Sequence, residues 1–194
     1  MGRRRPWRWS VGILVPSIAA LVVAASSAAA DAPGEPTTTT AGEVSGGGDA
    51  AGPFSLTAPA GWVMNRRPGD GVRRRTVFYP RGSGGADAPV KVFVNTSPRG
   101  PGGTLDALVE RDVKSTLERA QGARVSEETS LRTADSKLAL VRSFAGGDGE
   151  ESVAYIAEKD SFILITLSAS DEQRHAEGES AFRAIVESYR AAER

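Results

Sequence analysis

From Phe54 onward the apolar positions switch between a period of two and a period near 3.6, the signatures of strands and helices. Phe54-Ser55-Leu56 alternates and runs into Pro59-Ala60-Gly61, a turn, followed by Trp62. Residues 76–79 form a second short strand stopped by Pro80, and residues 90–94 a third, with 82–89 as the loop between them. Thr104 is placed to cap a helix whose apolar positions are Leu105, Leu108, Val109, Val113 and Leu117. Asp106 in its first turn and Arg119 in its last suit the helix dipole, and Gly122 ends it. Four strand-like segments follow, at 124–131, 137–144, 152–158 and 161–168. Asp148-Gly149 and Lys159-Asp160 join neighbours at hairpin distance. A final helix is predicted over 171–191, with Ala181, Phe182, Ile185, Val186 and Tyr189 on one stripe.

The predicted order is βββ-α-ββββ-α. Neither helix sits in a tight strand–helix–strand repeat, which argues against a parallel Rossmann-type sheet. Short hairpins point instead to a mainly antiparallel sheet of about seven strands. Phe162-Ile163-Leu164-Ile165 is apolar at every position, as in a strand covered on both faces. One helix therefore belongs on each face, giving an α/β/α sandwich of the α+β kind.

The N-terminus reads as an address. Arg3, Arg4, Arg5 and Arg8 precede an apolar run from Val11 to Val23, and Ala28-Ala29-Ala30 supplies small residues for cleavage before Asp31. A membrane span needs about 20 predominantly apolar residues, whereas Pro16, Ser17, Ser26 and Ser27 interrupt this run. Residues 1–30 are read as a signal peptide, with an uncleaved anchor as the alternative; either places the domain outside the cytoplasm, secreted or periplasmic. The arginine run also raises a twin-arginine route, which Pro6-Trp7-Arg8 suits poorly. Residues 31–52 carry runs of threonine and glycine and one large aliphatic residue, Val44, so they read as a disordered linker. The folded domain is 53–191.

Charge then narrows the partners. The 194-residue chain has 24 basic and 24 acidic residues, but after residue 30 the balance is −4. A mildly acidic product gives no electrostatic case for nucleic acid or an anionic membrane. With no cysteine, disulfides, thiolate metal sites, thiol nucleophiles and lipidated cysteines are excluded.

The opening Phe54-Ser55-Leu56-Thr57-Ala58-Pro59-Ala60-Gly61-Trp62 resembles the F-x-L-x-x-P-x-G-W start of the PsbP-like superfamily. The close, Phe182-Arg183-Ala184-Ile185-Val186-Glu187-Ser188-Tyr189, resembles its terminal F-x-x-I-x-x-S-F helix, and residues 154–162 its penultimate strand pair. That superfamily includes an extrinsic photosynthetic subunit, nuclear Ran-binding proteins, DcrB-like envelope proteins and actinobacterial exported lipoproteins. The resemblance implies an α/β/α sandwich acting as a non-enzymatic binding or accessory module of the envelope, engaging a protein partner. It carries over no functional residues, and the lipoproteins' acylated cysteine has no counterpart here.

The candidate interaction surface is Arg66, Arg67, Arg73, Arg74 and Arg75, a basic cluster placed on a loop after Trp62. It suits an acidic partner, an anionic polymer or lipid head groups; a solvated loop is the plainer alternative. His175, the only histidine, has Glu172 and Glu177 near it in sequence, but a polar helix start is an ordinary place for a solvated imidazole. Asp148-Gly149-Glu150-Glu151 groups carboxylates without EF-hand spacing and reads as a hairpin turn with solvated acids. Gly82-Ser83-Gly84-Gly85 and Gly100-Pro101-Gly102-Gly103 match neither a phosphate loop nor a nucleophile elbow. Trp62 is expected to pack on the sheet near Phe78. No catalytic residue, metal or cofactor is expected. A small secreted hydrolase and a carrier of a small apolar ligand stand as alternatives, the first needing a nucleophile and base within hydrogen-bond reach.

Overall fold

The computed structural model describes residues 43–46, 54–67, 75–120, 122–146 and 149–191. The predicted signal peptide, most of the linker, Arg73, Arg74 and Asp148 lie outside them. The elements in chain order are β1 (Glu43–Gly46), β2 (Phe54–Thr57), β3 (Trp62–Arg67), β4 (Arg75–Pro80), β5 (Val90–Pro98), α1 (Leu105–Arg119), β6 (Arg124–Val125), β7 (Thr129–Arg132), β8 (Leu138–Gly146), β9 (Gly149–Ala157), β10 (Ser161–Ala169), α2 (Glu172–Glu187) and β11 (Arg190–Ala191). A single 3₁₀ turn, Gly85–Asp87, precedes β5.

Eight strands form one antiparallel sheet in the order β3-β4-β5-β10-β9-β8-β6, with β7 also pairing β8. β10 is its axis, pairing along its length with both β5 and β9. Its residues divide by parity. Ile163, Ile165 and Leu167 face Phe182, Ile185 and Val186 of α2, together with Val92, Val94, Ala154 and Ile156. Phe162 and Leu164 face Leu108 and Val109 of α1, with Leu140, Phe144, Val153 and Tyr155. The continuous apolar run thus arises from burial on both faces, and the sandwich has one helix on each. Each fully buried aliphatic or aromatic side chain contributes about 1.5–3 kcal/mol of transfer free energy.

Local signals set the helix ends. The Thr104 hydroxyl accepts from Ala107 N at 3.2 Å to cap α1, and the Asp171 carboxylate accepts from Arg174 N at 2.9 Å to cap α2. Gly178 sits inside α2 despite its helix cost because a Cβ there would lie 2.7 Å from Val90 Cγ2 and 2.8 Å from Leu167 Cδ1. The helix can reach the sheet only with glycine at the contact.

Four sequence expectations are corrected. Trp62–Arg67 is a strand, not a loop: only Trp62 and Met64 supply apolar residues on its inner face, too short an alternation to stand out. The single strand expected over 124–131 is two, β6 and β7, with a break at 126–128. There the Ser126 hydroxyl accepts from the Ser143 backbone N–H at 3.0 Å. The final helix stops at Glu187, so Tyr189 lies beyond it, although buried as expected. Finally, Glu43–Gly46, inside the predicted linker, pairs with β2, which also pairs with β11 in a small second sheet. Strand pairing draws on backbone groups that a small-residue segment carries as well as any other.

Candidate interaction surface and buried polar clusters

Of the arginine cluster, Arg66 and Arg67 end β3 and Arg75 begins β4, rather than lying in a loop; Arg73 and Arg74 lie outside the described residues. Arg66 pairs with Thr76 and Arg67 with Arg75 in the antiparallel register. Arg67 and Arg75 are therefore ladder partners in the backbone register. The hairpin is at the edge of the large sheet, since β3 pairs only with β4 among the described strands. Trp62 and Met64 at its other end pack on the core cluster that contains Phe78, as expected of Trp62.

His175 stands in the first turn of α2, half-buried, and its Nε2 lies 2.9 Å from the Ser152 hydroxyl. Ser152 in turn lies 2.7 Å from the Ser143 hydroxyl, its ladder partner. The imidazole is therefore neither fully solvated nor aimed at a sequence-neighbouring carboxylate. Ser152 is 3% exposed in the middle of a strand, where an attacking oxygen would be closed to substrate. The chain of three groups acts as a polar staple between α2 and the β8–β9 pair.

The acids of the β8–β9 hairpin need a larger correction. Glu151 is not solvated: it is 7% exposed, on the α1 face, and its Oε1 has no hydrogen-bond partner among the described residues. Burial, with the Asp112 carboxylate beside it, pushes its pKa up to about 7 against the opposing pull of Arg119. Asp112 accepts from the Tyr155 hydroxyl at 2.5 Å, and burial next to that carboxylate pushes the phenol well above its usual range. On the neighbouring strand Arg142 is bonded to Ser126 O at 3.1 Å and to Glu128 at 3.2 Å. Its Nε is buried without a partner among the described residues. The signal for this cluster was present in the sequence as phase: Glu151 shares strand parity with Val153 and Tyr155, and Asp112 lies four residues from Leu108.

A second cluster secures the C-terminus. The Tyr189 hydroxyl donates to Glu158 at 2.7 Å, and Lys137 forms an ion pair with the same carboxylate. Lys137 also sits 5.9 Å above the Tyr189 ring and 3.6 Å from Asp135. Burial pushes Asp135 up, but bonds from the Thr133 hydroxyl and Ala191 N–H, with the Lys137 charge, hold it below its ordinary value. Among the described residues no group of three His, Cys, Asp or Glu side chains is placed to hold a metal ion, and no helix is long and apolar enough to cross a membrane.

The comparison that bears on this architecture is structural. Cyanobacterial PsbP (CyanoP) from Synechocystis sp. PCC 6803 matches with a TM-score of 0.53 at 17% identity, over 81% of this chain and 96% of that one. The chain has the PsbP-like fold. The Saccharomyces cerevisiae Ran-binding protein Mog1p matches with a TM-score of 0.47 at 9% identity, over 78% of this chain and 96% of that chain. LpqN of Mycobacterium tuberculosis, involved in cell envelope biogenesis, matches with a TM-score of 0.46 at 14% identity, over 80% and 93%. No protein-family model and no curated protein sequence matches the chain. The two helices and the mainly antiparallel sheet are as expected, while the closing motif is helical only to Glu187.

Proposed function

We propose that the protein is an exported, non-enzymatic binding module that engages an acidic protein partner of the cell envelope through the arginine end of the β3–β4 hairpin. The observation that carries this reading is the cross-strand pairing of Arg67 with Arg75, flanked by Arg66 and contiguous in sequence with Arg73 and Arg74. The five arginines concentrate positive charge between residues 66 and 75, in a chain that is otherwise acidic after residue 30. Carboxylates on a partner would complement that charge and gain bidentate bonds from guanidinium groups. The burial of Ser152 beside His175 argues against a hydrolase, because substrate could not reach its hydroxyl. The PsbP-like fold is compatible with a binding role but does not select one.

Affinity capture from the envelope fraction of the source organism tests the proposal. The native protein is expected to retain a specific acidic protein at moderate salt. A variant with all five arginines changed to glutamate is expected to lose it, with circular dichroism unchanged. Equal capture by both forms would remove the hairpin from the account.

A further inference from the structure

We propose that Glu151 and Asp112 form a proton-operated latch that holds the C-terminal half of α1 against the sheet. The two covers of the sheet differ in strength. α2 buries Gly178, Ala181, Phe182, Ile185 and Val186, whereas α1 buries Leu108, Val109 and Thr116 and leaves Leu117 42% exposed. Past Val109 the α1 contact with the sheet is thinner and partly polar: Val113 packs on the cluster half-buried, Asp112 is bonded to Tyr155, and Asp112 and Arg119 act electrostatically on Glu151. Leu117, expected on the apolar stripe, is turned away because the stripe drifts around the helix after Val113, and Thr116 takes the buried position.

The charged and titratable groups around Glu151 come from three elements. α1 contributes Asp112 and Arg119, β9 contributes Tyr155, and β8 contributes Arg142, whose bonds to Ser126 and Glu128 hold it toward β6 and the break after it. The ladder partners of Glu151, Phe144 on β8 and Ser168 on β10, do not titrate. With Glu151 protonated, the buried site holds one anion, Asp112, bonded to Tyr155. Loss of the Glu151 proton places a second anion beside it, offset only in part by the Arg119 charge, with Oε1 lacking a partner among the described residues. A buried charge in that position is costly unless water reaches it. Glu151 is buried on the face that α1 covers, and Asp112 and Arg119 of this segment act on its carboxylate, so lifting the segment is the route by which the carboxylate is hydrated. Deprotonation opens the latch and protonation closes it.

Native-state hydrogen exchange of the full chain tests the latch, with rates corrected for the intrinsic pH dependence of exchange. A group whose pKa is about 7 when closed and near the ordinary 4.5 when open makes opening about tenfold more populated at pH 8 than at pH 6. Amides of Asp112–Arg119 are expected to exchange faster than those of β10 and to show that tenfold rise. E151Q is expected to abolish the rise, and D112N, which keeps an acceptor for Tyr155 but removes the neighbouring charge, to reduce it. The latch is overturned if α1 and β10 exchange at the same rate, if α1 opening is constant with pH, or if E151Q keeps the full dependence.

Discussion

Replacing Tyr189 with alanine is expected to lower the unfolding free energy by about 3–5 kcal/mol, the usual cost of deleting a large buried aromatic side chain. Tyr189 is 1% exposed, its ring stacks on Phe54 at 5.8 Å between centroids, and its hydroxyl bonds Glu158. It also follows the end of α2, where the Ser188 hydroxyl accepts from Thr57 N at 3.0 Å and the Tyr189 carbonyl accepts from Ala134 N at 3.1 Å. The ring thus joins three pieces of chain: β2, the β7–β8 turn and the C-terminal segment. Y189F separates packing from polarity. It keeps the ring and is expected to cost about 1 kcal/mol, because Glu158 retains Lys137. Urea unfolding of both variants checks the pair. A loss under about 1 kcal/mol for Y189A would contradict the anchoring role.

The second large effect is a dependence of stability on pH in the direction opposite to that of an ion-paired carboxylate. The folded protein holds the Glu151 proton up to about pH 7, while the unfolded chain releases it near 4.5. Between those values the native state binds more protons, so stability falls as pH rises. From pH 5 to pH 8 the loss is about 2.5 kcal/mol, nearly complete by pH 8. Asp135 acts in the other sense: its lowered pKa confers stability that disappears only as pH falls through and below 3.8, outside this window. E151Q is expected to match the native protein near pH 5 and to exceed it at pH 8. Denaturation curves at the two pH values decide the matter, and a native protein more stable at pH 8 than at pH 5 would contradict the burial of Glu151.

The sandwich was legible because its strongest signals are local and periodic. The unbroken apolar run of β10, the Thr104 cap and the short β8–β9 and β9–β10 connections each fix one element without tertiary knowledge. What was hidden depends on who sits across from whom. β3 carries Asn65, Arg66 and Arg67 in half its length, so its strand character shows only in its pairing with β4. Glu151 follows two other hairpin acids in the sequence; its strand phase puts it with Val153 and Tyr155, but only the arrival of α1 buries it. His175 likewise gained its partner, Ser152, from a strand 23 residues away. Of the candidate surface, the basic composition was plain in the sequence, whereas the cross-strand placement of Arg67 and Arg75 required the register.

That placement is also where the account is most exposed to test. A photoreactive phenylalanine derivative at position 67, on the β3–β4 hairpin, and the same group at position 183, on the exposed side of α2, would be compared in the source organism. A discrete protein adduct from position 67 and none from position 183 is the expected result. Adducts from position 183 alone would contradict the assignment of binding to the arginine hairpin.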